Sequence, residues 1–343
     1  MKWIKNLSFK FFEKFKYFAP VSAIIILAGF IVMIFAGMNV GIDFGGGATV
    51  SVEFGDYVAT HEDVKGDLVS QINDLVKKEG FEIGSTRWSG EDKNIYEIGL
   101  KYSLNGQVIN ADSEQAQKDF RNLLEEEGGL NDKIVELINN YNDEFDVLKE
   151  DTITSNIVGA ETSRKLLKNA IIATIVAIII MLIYIAIRFT LTSGLAAIIA
   201  LAHDVLVMIA LVTIFRVQVN TTFIAAIITI VGYSINATIV VFDRIREVSK
   251  LESMKDASDA EIANKSILDT LSRTILTTIT TLAVIVILAV VCAILGVSTM
   301  SEFALPIIFG LIAGTFSSVF LSAPIWVYLR KIAKKIKAKK KTA

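Results

Sequence analysis

A few side chains of this 343-residue chain could do chemistry in a place where chemistry is costly, inside long apolar stretches. The segment Val231-Gly-Tyr-Ser-Ile-Asn-Ala-Thr-Ile-Val-Val-Phe-Asp-Arg-Ile-Arg-Glu247 begins apolar and ends in charges. As a helix it would place Gly232, Asn236 and Asp243 on nearly one face, because offsets of four and seven return to the same side. Such a stripe must face other helices or water, and it reads either as interhelical hydrogen bonding or as part of an ion path. His203 and Asp204 lie near the middle of another apolar stretch. At that depth Asp204 favours a neutral or paired state, so a structural hydrogen-bonded pair and a proton relay both fit. Arg273 opens the segment Leu271-Ser-Arg-Thr-Ile-Leu-Thr-Thr-Ile-Thr-Thr-Leu282, with Thr277 and Thr281 on its face. A guanidinium does not give up its proton, so Arg273 needs a carboxylate, carbonyls or water, or must reach the membrane surface.

Other chemistries find no support. No nucleophile–base pair suggests an enzyme. Two histidines and one cysteine, Cys292, argue against a Cys/His metal site and exclude an intrachain disulfide, and no cofactor motif is present. The glycine-rich run Gly41-Ile-Asp-Phe-Gly-Gly-Gly47 could suggest a phosphate loop. It lacks the Lys-Ser/Thr ending and is expected to precede a strand, not a helix.

The elements that must position these residues are mostly membrane spans. Hydrophobic residues make up 53% of the chain, too many for an ordinary soluble protein. Residues 1–17 are basic and aromatic, as in an interfacial segment, and 18–40 form an uncleaved first span. Further spans are expected at 170–189, 192–215, 222–241, 275–295 and 306–329, joined by an inner loop at 243–273 and an outer one at 296–302. Glycines and serines at 310, 314, 318 and 322 make a small-residue seam for helix packing. Between the first two spans, residues 41–165 form a domain in which Asp and Glu outnumber Lys and Arg roughly two to one. Its periodicities predict the order β-α-β-β-α-β, a ferredoxin-like α+β fold, with strands near 49–54, 81–88, 95–102 and 145–157. The expected helices are 61–78, 113–127 and 131–141. Basic flanks place both termini, including the lysine-rich tail 330–343, in the cytoplasm and the acidic domain outside. The tail reads as a membrane- or ribosome-side surface, not a nucleic-acid patch.

Several of these segments resemble the SecD/SecF family of membrane proteins of the bacterial protein-export machinery, on its SecF side. The resemblance rests on the segment 231–247, in which Gly232, Tyr233, Ser234, Asn236, Asp243 and Arg244 fall in the motif. It rests also on Gly41, Asp43, Phe44 and Gly46 after the first span, on Val158–Leu166 loosely, on the His203-Asp204 pair, and on Ser272-Arg-Thr274 with the threonine pairs that follow. The resemblance implies a six-span α-helical bundle, half of a resistance-nodulation-division-type bundle, with an extracytoplasmic ferredoxin-like domain. It implies a multi-pass protein of the bacterial cytoplasmic membrane that works with SecD and a SecYEG-type channel. The pair would use a proton or sodium gradient, with no other cofactor, to move unfolded preproteins at a late stage. It further implies an aspartate after Asn236, acting with the arginine at 273. Here that residue is Ala237, which cannot titrate. The missing carboxylate could come from SecD, from Asp204, or from Asp243, about 9 Å further along the helix. Otherwise the chain is a structural subunit without ion coupling. A stand-alone efflux transporter of the same superfamily is a poorer fit, since such transporters are built from two repeats.

Overall fold

The computed structural model describes residues 11–54, 61–90, 94–109, 114–141, 153–295 and 297–342. Six helices among them are long and apolar enough to cross a membrane. They are α1 (Phe11–Ala36), α6 (Ala160–Arg188), α7 (Leu191–Ile214), α8 (Thr221–Val248), α9 (Asp259–Ile294) and α10 (Ser298–Phe320). A basic helix, α11 (Ser322–Thr342), follows.

Between α1 and α6 lies the α+β unit. One helical turn, α2 (Ile42–Gly45), lies inside the glycine-rich run and leads straight into β1 (Gly47–Glu53), so the run precedes a strand, as expected. Then come α3 (Glu62–Lys78), β2 (Phe81–Ser89), β3 (Ile95–Leu104), the short β4 (Gln107–Val108), α4 (Glu114–Glu125), α5 (Leu130–Tyr141) and β5 (Ile153–Val158). The main sheet order is β2-β3-β1-β5, with β4 on the edge of β3, and all pairs are antiparallel. This is the ferredoxin-like arrangement. Residues 145–152 of the predicted last strand lie outside the described residues.

Alternation along the strands places Val50, Val52, Ile98 and Leu100 on one face. There they meet Leu68, Ile72 and Val76 of α3, Phe120 and Leu124 of α4, and Ile134 of α5, all buried. The other face is polar and looks toward the bundle. From it Arg87 bonds Glu97 (2.5 Å) and reaches Glu302 near the start of α10 (2.9 Å), while Asn220 donates to the same Glu302 carboxylate (2.5 Å). Burial alone would depress the Arg87 guanidinium, but Glu302 and Glu97 outweigh it and hold the group above its ordinary range.

A second junction comes from the Gly41–Gly47 run. Asp43 accepts from the Thr221 amide (3.1 Å) and hydroxyl (2.8 Å), and so satisfies the first turn of α8 together with Asn220, which caps Phe223 N–H. The Gly41 amide donates to Val219, and Val219 to Asn39. Phe44 is buried. Gly46 has φ +72°, and a Cβ at Gly47 would stand 2.0 Å from the Leu100 carbonyl oxygen. Glycine is required there by backbone conformation and close approach.

Within the bundle, α7, α8 and α10 form the centre. Gly310 and Gly314 of α10 lie against Ile230 and Ser234 of α8, and Ser318 and Ser322 are wholly buried, so the seam packs helices as expected. Four segments differ from expectation. The first span begins at Phe11, inside the expected interfacial segment, and its helix ends at Ala36, short of residue 40, while the expected outer loop 296–302 is helical from Ser298. The last predicted span, 306–329, straddles a break at Leu321. Pro324 has no N–H for the Phe320 carbonyl, so α10 stops and α11 starts anew. The predicted inner loop 243–273 is mostly helix. Most of its charges lie on the extended ends of α8 and α9, with Lys250, Glu252, Lys255 and Asp256 in the short link between them, and Ser258 with Glu261 forms a capping box that begins α9 well before its apolar part.

Replacing Gly310 with Ala puts a methyl group 2.5 Å from the Ile230 side chain. We expect a loss of about 1–3 kcal/mol from overpacking. Gly232→Ala, which meets nothing within 4 Å, should leave the isolated chain as stable or slightly more so, since alanine favours the helix. Thermal unfolding of the two variants in detergent checks the contrast.

Candidate functional site: polar groups within the spans

The structure sorts the polar residues of the spans into three separate groups. The first is enclosed. Asp204 of α7 has no solvent-accessible surface. Its carboxylate accepts hydrogen bonds from Ser234 Oγ of α8 and from Ser317 Oγ of α10 (2.8 Å), and its other oxygen lies 2.9 Å from His203 Nδ1. The His203 ring stacks near Phe316, and its Nε2 is buried with no hydrogen-bond partner among the described residues. A charge or acid at this depth is thus met by two hydroxyls and an imidazole, which is what a buried carboxyl group requires. Ser317 was not singled out from sequence. A serine beside a small-residue seam gives no sign of its partner until α7 is packed against it.

The second group faces outward. Tyr233, Asn236, Ala237, Arg273, Thr277 and Thr278 line a crevice of about 70 Å³ between α8 and α9. Asn236, Arg273 and Thr277 are exposed at the side of the bundle, and Gly232 opens on the same side. The Arg273 guanidinium has no hydrogen bond or ion pair among the described residues. Thr277 and Thr281 turn their hydroxyls back to carbonyls one turn earlier in α9, Arg273 O and Thr277 O, whereas Thr278 meets Thr315 of α10 at 2.8 Å. A guanidinium, an amide and a gap at Ala237 therefore sit side by side on a face that none of the described residues covers.

The third group lies at the end of the bundle remote from the sheet. Asp243 does not join Arg273. Both of its oxygens accept from Arg188 Nη2 at 2.8 Å. Arg244, one residue on, bonds Asp269 of α9 (2.7 and 3.0 Å) and Glu247 (2.8 Å). The stripe read along one helix is thus divided between neighbours. Gly232 and Asn236 point away from the bundle, while Asp243 ties α8 to α6. Among the described residues no group of His, Cys, Asp and Glu side chains could hold a metal ion. The motif residues Gly41, Asp43, Phe44 and Gly46 lie at the sheet–bundle junction, away from all three groups.

Ser317→Ala removes one of the two hydroxyls that Asp204 accepts from. We expect a destabilisation of about 1–3 kcal/mol, because the remaining buried acceptor is under-satisfied. Thr277→Ala removes a hydroxyl bonded only to its own helix and should change stability by less than about 0.5 kcal/mol. Equal melting temperatures for Ser317→Ala and the unmodified chain would contradict the assignment.

Comparison with known proteins supplies a context for this geometry. Residues 138–332 match the family model of the protein export membrane protein SecD/SecF, C-terminal. The protein translocase subunit SecF of Helicobacter pylori strain J99 is 30% identical over 332 residues, covering 96% of this chain and 88% of that protein. SecF of Desulfurispirillum indicum is 34% identical, covering 92% and 89%. SecDF of Bacillus subtilis is 33% identical over 92% of this chain, but the match spans only 37% of that longer protein. The crystal structure of SecDF, a translocon-associated membrane protein from Thermus thermophilus, superposes with a TM-score of 0.69 at 28% identity, covering 95% of this chain and 39% of that one. With six apolar helices, a ferredoxin-like domain and these matches along almost its whole length, the chain belongs to the SecD/SecF family of protein-export membrane proteins as a SecF-type translocase subunit.

Proposed function

We propose that this chain is the SecF half of a two-part export motor. It would pack its outward polar face against SecD and couple a proton or sodium gradient to late movement of unfolded preproteins through a SecYEG-type channel. The observation that carries this reading is the unanswered Arg273 beside Ala237, on an exposed face of α8 and α9. A guanidinium in hydrocarbon needs a counter-charge or water, and a second half-bundle would supply both. Relatives named SecDF, more than twice the matched length, support the existence of such a half. The carboxylate that titrates then comes from SecD, because Asp243 is engaged by Arg188 and Asp204 by its hydroxyls, and neither lines the crevice. The coupling ion would be the sole cofactor, and no catalytic step on the chain is needed. Charge asymmetry favours cytoplasmic termini, a cytoplasmic membrane location and an external sheet domain.

A second reading keeps the assembly and drops the coupling. It is favoured by Ala237 itself, which cannot titrate. Gradient-driven preprotein translocation in reconstituted vesicles containing SecD separates the two. Under the coupled reading, an imposed ion gradient stimulates translocation by the unmodified chain. Arg273→Ala abolishes that stimulation, as does neutralising the intramembrane carboxylates of SecD. Stimulation seen only with Ala237→Asp would establish the uncoupled, structural role.

A further inference from the structure

The end of the bundle where α6 meets α7, α8 finishes and α11 starts holds a cavity of about 840 Å³, within the size range of small-molecule sites. Three arginines line it, Arg188, Arg246 and Arg330, and no acidic side chain among the described residues does. Two of the three are held in place from outside the cavity. Arg188 is fixed by Asp243. Arg330 bonds Asp259 (3.3 Å), its guanidinium 5.0 Å from the centre of the Trp326 ring, and Lys334 joins the same Asp259 (2.6 Å). Arg246 is exposed and its guanidinium makes no hydrogen bond or ion pair among the described residues. Two carboxylates thus face four cations, which leaves an excess of positive charge at the mouth.

The rest of the lining is of another kind. Phe242 and Trp326 form a buried aromatic floor, and hydroxyls of Thr190, Ser193 and Ser249 stand at the polar edge. On the opposite side the rim runs onto Tyr184 and Ile187 of α6, which are 44% and 82% exposed on the apolar flank of a spanning helix. A soluble anion would use the arginines and leave that flank bare. A ligand with an anionic head and hydrocarbon tails uses both. Guanidinium groups match phosphate oxygens, basic pockets between spanning helices suit anionic headgroups, and aromatic residues favour this depth. We propose that this cavity binds an anionic phospholipid, with Arg246 as the free phosphate ligand, Arg188 and Arg330 as its pre-positioned neighbours, and the acyl chains lying along α6.

The test is native mass spectrometry of the full chain in detergent, titrated with phosphatidylglycerol or phosphatidylcholine. The expected result is tighter binding of phosphatidylglycerol, weakened about fivefold by Arg246→Gln. Lys265→Gln, which removes an exposed cation of α9 outside the cavity, should change that affinity by less than about twofold. Equal affinity for the two lipids, or no loss in Arg246→Gln, overturns the proposal. An equal loss in Lys265→Gln overturns it too, since the attraction would then be diffuse. Soluble glycerol phosphate supplies the last arm. If it displaces the lipid at comparable concentration, the site is one for free anions and the lipid assignment falls.

Discussion

The Asp204 carboxylate sets the register of the bundle. It is wholly buried and held by hydroxyls from two other helices. Apolar helices in lipid gain little by choosing one neighbour over another, because hydrocarbon tails are as apolar as leucine. A buried carboxyl group makes the choice specific, since a slide or rotation of α8 or α10 would take away one of its two hydroxyl donors. The small-residue seam then lets α10 come close enough to α8 for both serines to reach. About half of the most apolar part of α7, α8 and α10 is buried, against about a tenth or less in α1, α6 and α9. The three helices that meet at Asp204 are therefore the fixed centre, and the others are arranged around it.

Helix α8 serves both sides of this arrangement. Ser234 turns inward to Asp204, whereas Gly232 and Asn236 look outward beside Arg273. The inward carboxylate and serine hydroxyls answer one another within the chain, whereas the outward Arg273 guanidinium has no partner among the described residues. An unanswered polar face in lipid is tolerable only where protein or water meets it. Asp243, further along α8, is answered as well, since Arg188 Nη2 donates to both of its oxygens.

Much of this was legible in the sequence, wherever a local pattern controls the outcome. The span count, the α3 stripe of Leu68, Ile72 and Val76, and the order of strands and helices follow from periodicities of 3.6 and 2. The enclosed His203-Asp204 pair was visible as charge out of place. What could not be read depends on neighbours far apart along the chain. Ser317 is 113 residues from Asp204, Arg188 is 55 from Asp243, and Arg87 is 215 from Glu302. A pattern on one helix says which residues share a face, not which helix comes to meet it. The break at Leu321 and the long ends of α8 and α9 were lost for another reason. Average hydropathy runs straight over Pro324, and charged helical turns beyond the bilayer resemble loops. The Ser258–Glu261 capping box was the local signal that could have corrected the second error.

One connection carries a mechanical consequence. Strand β5 ends at Val158 and α6 begins at Ala160, with Gly159 alone between them. Beside the junctions at Glu302 and Thr221, a force drawn on the sheet has a covalent path through this one residue into a spanning helix, with no slack loop to absorb it. That helix is also the least anchored of the six, with only 6% of its most apolar stretch buried. The sheet domain is thus joined by a one-residue link to the spanning helix that the rest of the bundle grips least, so a pull on β5 bears first on the helix with the fewest neighbours to resist it.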